Sequence, residues 1–134
     1  CQISQSRHKM DWALKERLEI ARIIRAENLS NGYAFYGNGL STNFVMNEQR
    51  VAAIRPKSKE PMLWAIDKNT FYRPGKFDFV IAWKNNQGDW WNHDWNDKEI
   101  QENFGKPQKI IDSGRVRLYI YEDITDKVTK PELR

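Results

Sequence analysis

The chain has 134 residues, enough for one domain with one core, and its 40% hydrophobic and 30% charged residues exclude an intrinsically disordered chain. No run of about 18 apolar residues occurs, which excludes a membrane-spanning helix, and the single cysteine cannot form an intrachain disulfide. The net charge of +4 is distributed unevenly. Residues 50–76 carry seven Lys or Arg against two acids, hence +5, whereas residues 77–106 carry three Lys against six acids, hence −3.

The first predicted element is an amphipathic helix over residues 11–28, in which apolar residues recur at helical spacing. Asp11 is the predicted N-cap, and the SNG sequence at residues 30–32 is the predicted end. The predicted buried stripe comprises Leu14, Leu18 and Ala21, widened by Ile20, Ile23 and Ile24.

A βαβ unit is predicted next. Residues 32–36, GYAFY, are short and aromatic and indicate a buried strand, and residues 38–47 indicate a helix with Asn38 as its N-cap. Residues 50–56 predict a second strand that ends at a proline. A strand, a short helix and a second strand in succession favour parallel pairing with a right-handed crossover.

The second half begins with one helical turn that Asp67 caps and that runs to Tyr72. Residues 77–84, FDFVIAWK, form the clearest strand in the chain, and apolar residues on both sides of it predict a central strand covered on both faces. The side chains predicted to share one face are Phe77, Phe79, Ile81 and Trp83, with Val80 and Ala82 on the other.

The C-terminal third predicts a helix over residues 96–105, in which Asn96 and Glu99 have the spacing of a capping box. A β-hairpin over residues 108–122 follows, because a Ser-Gly turn separates two alternating segments. The prediction is therefore a single α/β domain over residues 1–125, with a mixed sheet of about five strands and about three helices, followed by a frayed tail at 126–134.

Residues 89–95, DWWNHDW, are the first candidate site, because they connect the central strand to the last helix. Trp90 or Trp91 would stack on a sugar ring, with Asp89, His93 or Asp94 as the polar partner. The alternative is that the tryptophans only anchor a long loop. Trp95 directly precedes the Asn96 cap and is predicted to be buried against Ile100.

Two candidate anion sites also follow from the sequence. Gly37 and Gly39 lie between a strand and a helix N-terminus, although the turn lacks the lysine of a phosphate-binding loop, so the alternative is a tight turn without a ligand. The other candidate is a basic edge that faces a membrane or a lipid-linked phosphate, with a solvated surface as its alternative. It comprises Arg50, Arg55, Lys57 and Lys59.

No catalytic residue, metal site or cofactor is predicted. Ser41 lacks the motif of a nucleophile, and His93 with nearby aspartates is interpreted as an acidic loop rather than a metal site. No nucleic-acid-binding motif accompanies the basic residues, so nucleic acid is not expected as a partner.

The order of these motifs resembles a known family. NLSNGYAFYGNGLSTNF, RVAAIRP, PMLWAIDKNTFYRPGKFDFVIAWK and NFGKPQKIIDSGRVRLYIYE follow one another over about residues 15–122. This succession is similar to the extracytoplasmic C-terminal domain of GT-C membrane glycosyltransferases of the dolichyl-phosphate-mannose-protein mannosyltransferase type. The chain departs from that family at Tyr36-Gly37, where the family often has Tyr-Trp.

The resemblance implies a non-catalytic accessory domain on the extracytoplasmic side of the bacterial cell membrane. The complete apolar pattern of the chain predicts that this fragment is a monomer. Its partner would be the membrane-spanning remainder of the parent chain, which carries the transferase chemistry, and it would aid recognition of an acceptor glycan or a polyprenyl-phosphate sugar. Two alternatives stay open: a carbohydrate-binding envelope lipoprotein anchored at Cys1, or a small enzyme with an anion site at Gly37 and Gly39.

Overall fold

A computed structural model describes residues 2–63, 68–84 and 95–133, with the backbone alone for residues 2–13, 36, 37 and 40. It confirms the predicted fold class: a mixed five-stranded sheet and three α-helices form one α/β body. The helices are α1 (Gln2–Ala26), α2 (Tyr36–Met46) and α3 (Asp97–Phe104). The strands are β1 (Asn31–Ala34), β2 (Val51–Ala53), β3 (Phe77–Trp83), β4 (Lys109–Ser113) and β5 (Val116–Ile120).

The strand order is β2-β1-β3-β5-β4, which makes β3 the central strand, as predicted. The predicted βαβ unit is present, since α2 connects β1 to β2 and the two strands are parallel. On its other side β1 pairs in parallel with β3, whereas β5 pairs antiparallel with β3 and with β4. The parallel half of the sheet therefore meets the antiparallel hairpin at β3.

Both faces of β3 are buried, but the prediction that Phe77 and Phe79 share a face is wrong. The pairing of β1 with β3 shifts register between Asn31 and Gly32, so that Asp78 is an extra residue in β3. The extra residue changes which side chains of β3 share a face of the sheet. The Phe77 ring stacks on Tyr33 at 4.5 Å between centroids, whereas Phe79 packs on the opposite face.

Helix α1 begins at Gln2 rather than at Asp11, because residues 2–10 contain no proline or glycine to stop it. Ile20 and Ile24 are fully buried against the sheet, but the prediction that Leu14 and Leu18 belong to the buried stripe is wrong, since both are about half exposed. The sequence offers two overlapping apolar stripes, and contact with the sheet buries only one of them.

Helices α1 and α2 both end at an asparagine in the left-handed conformation rather than at a glycine. Asn28 and Asn47 each have φ of 54°, and the amide of the following residue reaches back to close the last turn, from Leu29 to Ile24 O and from Glu48 to Asn43 O. The first helix thus ends at Ala26, two residues before the predicted end at residue 28, and Asn28 rather than the SNG sequence at residues 30–32 terminates it. Asn38 is not a cap either, because α2 begins at Tyr36 with Phe35 as N-cap.

The face of the sheet opposite α1 and α2 is covered by α3 and by a 3-10 turn at Lys68–Tyr72. This turn ends at Tyr72 as predicted, while its predicted cap, Asp67, lies outside the described residues. Trp95 is fully buried, as predicted, and its ring lies 5.5 Å from that of Phe104. The predicted cap of α3 is confirmed, because the amide of Glu99 donates to the side chain of Asn96 at 2.8 Å.

The predicted C-terminal hairpin is confirmed, with Gly114 in the left-handed conformation at its turn. Beyond it, the chain packs on the face that carries α3. Ile124 and Val128 are buried there, and the amide of Phe77 donates to the hydroxyl of Thr125 at 2.9 Å. The packed body therefore extends at least to Val128, past the boundary predicted at residue 125.

Replacement of Trp95 by alanine should lower the free energy of unfolding by about 3–5 kcal/mol, because a fully buried indole would leave a cavity next to Phe104. Denaturant unfolding followed by circular dichroism measures this change. The control is Phe44→Ala on α2, where the side chain is 82% exposed and the expected change is within about 0.5 kcal/mol. Equal stability of the two variants would contradict the anchoring role of Trp95.

Gly32→Ala should destabilise the protein by about 1–3 kcal/mol or more, because a Cβ at this position would overlap the Phe79 ring, which lies directly on the Gly32 backbone. Gly39→Ala is the control: its Cβ would meet Val51 Cγ1 at 3.6 Å, an ordinary contact, and alanine favours a helix over glycine. The same denaturant titration should place Gly39→Ala at or above the wild type in stability. If Gly32→Ala were as stable as the wild type, the close approach of β1 to Phe79 would be disproved.

Candidate functional site

The described residues contain a groove of about 440 Å³, here called the lysine groove, whose two walls come from distant segments of the chain. The first wall follows β2 and comprises Ser58, Lys59, Glu60, Pro61 and Leu63. The second belongs to the C-terminal segment and comprises Lys127, Thr129, Lys130 and Pro131. The volume lies within the range of roughly 300–1,000 Å³ that small-ligand sites occupy.

The first wall is a tight turn that backbone hydrogen bonds hold together. The amide of Arg55 donates to Glu60 O at 2.9 Å, and the amide of Lys59 donates to Arg55 O at 3.0 Å. The amide of Met62 donates to Ala53 O at 2.9 Å, which ties the turn to β2. Lys57 and Lys59 both adopt the left-handed conformation, which side chains rarely favour. The ammonium of Lys59 consequently lies 5.9 Å above the ring of Phe104, at the end of α3.

The second wall approaches from the opposite side of the groove. Val128 is buried in the core, which places Lys127 and Thr129 on either side of it at the surface. The ammonium of Lys130 lies 5.1 Å from the ring centre of Tyr72, and the hydroxyl of Tyr72 donates to Pro131 O at 2.5 Å. Tyr72 therefore holds the end of this wall next to the first one.

The described residues that line the groove carry a positive net charge. Three lysines, Lys59, Lys127 and Lys130, line it together with one acid, Glu60. Among the described residues, no carboxylate lies within ion-pairing distance of any of the three ammonium groups. Lysine ammonium groups without an acid partner can bind the oxygens of a phosphate or a carboxylate.

The four residues predicted as one basic edge lie at two different ends of β2. Arg50 precedes the strand, pairs with Glu48 at 2.5 Å and donates to Leu29 O at 3.3 Å. Arg55 follows the strand, roughly 16 Å from Arg50 at the rise of an extended chain, and Lys57 and Lys59 lie in the turn after it. The structure therefore brings three of the four together in the turn after β2 and separates Arg50 from them.

The glycines of the other predicted anion site lie in the first turn of α2. The amide of Gly39 already donates to Phe35 O at 3.0 Å, and its α-carbon faces Val51 and Ala34 on the sheet. The Gly39 amide is therefore already engaged within the helix. Ser41, the rejected nucleophile candidate, accepts a hydrogen bond from Arg17 at 2.8 Å.

The tryptophan loop lies outside the described residues. Trp90, Trp91, Asp89, His93 and Asp94 all fall within residues 85–94, so the proposed sugar platform stays a prediction. Of the DWWNHDW sequence, only Trp95 is described, and its complete burial assigns it to the core.

A second group of charges, at the start of β5, is structural. Arg115 donates to Glu16 Oε1 at 2.6 Å, and the guanidinium groups of Arg17 and Arg115 lie 5.1 and 5.4 Å from the ring centre of Trp83. Burial raises the pKa of Glu16, but hydrogen bonds and the positive charge of Arg115 outweigh it and hold the pKa below its ordinary value. These contacts hold α1 on the sheet, and the carboxylate of Glu16 is hydrogen-bonded to Arg115.

Asp78 is a buried carboxylate near the start of β3, only 2% exposed. Burial raises its pKa to about 6, although the amide of Ser30, which donates to both carboxylate oxygens at 3.0 and 3.2 Å, and the charge of Lys76 act in the opposite direction. The negative charge of Asp123 adds to the increase. Because Asp78 is closed to solvent, its shifted pKa affects stability rather than a reaction.

Within the described ranges, no group of acids, histidines and cysteines comes together to hold a metal ion. None of the helices in the same ranges combines the length and hydropathy that crossing a bilayer requires. Comparison of the chain with protein families, with curated proteins and with solved structures finds no match.

Sequence reasoning missed Lys127 and Lys130, which it assigned to a frayed tail. A signal was present, since Ile124 and Val128 are spaced to anchor the tail to an apolar surface, with a lysine on each side of Val128. Such spacing indicates a docked segment but does not specify where it docks. Whether Lys127 and Lys130 lie close to Lys59 depends on the path of the chain across the sheet.

The pKa of Asp78 predicts how stability changes with pH. The folded protein binds this proton more tightly than the unfolded chain, so the stabilisation is fully present below pH 3.8 and is lost as the pH rises through about 6. Relative to Asp78→Asn, the unfolding free energy of the wild type should therefore fall by up to about 3 kcal/mol between pH 4 and pH 7, at about 1.4 kcal/mol per unit.

Asp112→Asn is the control for this measurement, because the Arg117 guanidinium holds the pKa of Asp112 below its ordinary value. Its stabilisation is present at neutral pH and is lost only as the pH falls below 3.8, the opposite direction. Urea titrations at a series of pH values measure both differences. A difference in unfolding free energy between the wild type and Asp78→Asn that does not change with pH would contradict the raised pKa.

Proposed function

We propose that this chain is a non-catalytic binding domain that holds an anionic group in the lysine groove. The observation that carries the proposal is the convergence of Lys59, Lys127 and Lys130 on one cavity without an acid partner among the described residues. The size of the cavity favours a ligand larger than a bare anion, such as a sugar that carries a phosphate or a carboxylate.

This role agrees with the motif resemblance, which implies an accessory domain on the extracytoplasmic side of a bacterial membrane glycosyltransferase-like protein. In that setting the membrane-spanning remainder of the parent chain performs the transfer, and this domain binds the phosphate of a lipid-linked sugar or an anionic acceptor glycan. The small-enzyme alternative places the anion at Gly37 and Gly39 instead. The engagement of the Gly39 amide with Phe35 O favours the lysine groove over that turn.

A titration of the purified chain with a hexose 1-phosphate, followed by NMR or calorimetry, tests the proposal. Replacement of Lys59, Lys127 and Lys130 by glutamine should weaken binding by on the order of tenfold or more, because each exposed charge contributes roughly 0.5–1 kcal/mol. The affinity of the wild type should also fall as salt is added. The free hexose, which lacks the anion, should bind far more weakly.

The matched control removes the same charge elsewhere, with glutamine at Lys15, Arg22 and Lys98, which are exposed on α1 and α3. This variant should bind nearly as tightly as the wild type, because the three residues do not line the groove. Both triple variants lose the same net charge, so a larger loss of affinity in the groove variant reports the groove itself. Equal binding by the two triple variants would disprove the groove as the site.

Vesicles distinguish a membrane source of phosphate from a soluble one. Sedimentation with phosphatidylglycerol vesicles, compared with phosphatidylcholine vesicles, reports binding to anionic headgroups. Groove-dependent binding to the hexose phosphate alone assigns a sugar ligand, whereas groove-dependent binding to anionic vesicles alone assigns a membrane surface.

A further inference from the structure

The two walls of the lysine groove are attached to the domain very differently. The first wall is tied by backbone hydrogen bonds both within its turn and to β2. Residues 128–131 of the second wall make no backbone-to-backbone hydrogen bond with the described part of the chain. The contacts that hold this wall include the burial of Val128 and the contacts of Tyr72 with both Lys130 and Pro131.

Both walls of the groove carry lysine residues. Lys59 lies on the first wall, beside Glu60, and Lys127 and Lys130 lie on the second. An anion between them would be attracted to both walls at once. The docked position of the second wall is therefore favoured more in the presence of an anion than in its absence.

We infer that Tyr72 is a positioning residue for the lysine groove, and that docking of the C-terminal wall and binding of an anion strengthen each other. The inference rests on the proposed function, since it concerns the same groove. Tyr72 acts on the ligand through Pro131 and Lys130: its hydroxyl holds the backbone of the wall and its ring lies beneath the Lys130 ammonium. Coupling of this kind is reciprocal. The factor by which a bound anion favours the docked wall equals the factor by which docking of the wall raises the affinity for the anion.

Cleavage by trypsin after Lys127 reports the position of the wall, because the protease reaches the bond to Val128 only when this buried side chain leaves the core. Release of the 128–134 peptide, followed by mass spectrometry, measures the rate. Hexose 1-phosphate should slow release from the wild type severalfold compared with sodium chloride at equal ionic strength. Lys59→Gln changes only the opposite wall and should abolish much of this protection.

Tyr72→Phe tests the positioning role, because it removes the hydroxyl and keeps the ring beneath Lys130. Loss of one hydrogen bond corresponds to a change of about two- to tenfold in the equilibrium between the docked and undocked wall. Release of the peptide should accelerate by that factor, and the affinity for hexose 1-phosphate should fall in the same direction. Tyr119→Phe is the control, since it removes a tyrosine hydroxyl bound to Asp97 and should change neither quantity.

The outcomes separate the inference from the proposed function. If the wild type binds no hexose 1-phosphate, the groove is not an anion site and both are overturned. If the wild type binds the ligand with an unchanged rate of release, and Tyr72→Phe binds with unchanged affinity, only the coupling is overturned. Protection of the wild type, lost together with affinity in Tyr72→Phe but not in Tyr119→Phe, supports both.

Discussion

The close contact between β1 and β3 is the constraint on which the rest of the fold depends. The Phe79 ring lies directly on the backbone of Gly32, and the register shift beside it adds one residue to β3. That extra residue turns Phe77 toward Tyr33, leaves the carboxylate of Asp78 to accept from the Ser30 amide, and keeps both faces of the central strand apolar. Because β3 joins the parallel βαβ unit to the antiparallel hairpin, its register sets the position of every other strand.

Charged side chains serve two separate purposes around this sheet. Glu16 with Arg115, and Asp112 with Arg117, are paired across elements, and they fix α1 on the sheet and β4 beside β5. In the lysine groove the charges lack an acidic partner among the described residues. Exposed pairs contribute little stability, so unpaired lysines cost the fold little, and their charge stays available for a ligand.

The groove exists because the C-terminal segment crosses the covered face of the sheet and returns to the turn after β2. Val128 and Ile124 anchor this path in the core, and Tyr72 holds its end. A wall without backbone hydrogen bonds to the described chain at residues 128–131 is well suited to respond to a ligand, because a small difference in interaction between its docked and undocked positions changes their populations. The strand pairing of the sheet, by contrast, involves no residue of that wall.

Local sequence determined the βαβ unit, the central strand, the capped α3 and the hairpin, because hydrophobic periodicity and turn residues act between near neighbours. It also indicated that Trp95 is buried, from its place beside the Asn96 cap. Tertiary structure alone decided which face Phe77 takes and which stripe of α1 is buried. It also brought Lys127 and Lys130 to Lys59, since residues so distant in sequence meet only where the packing of the whole chain places them.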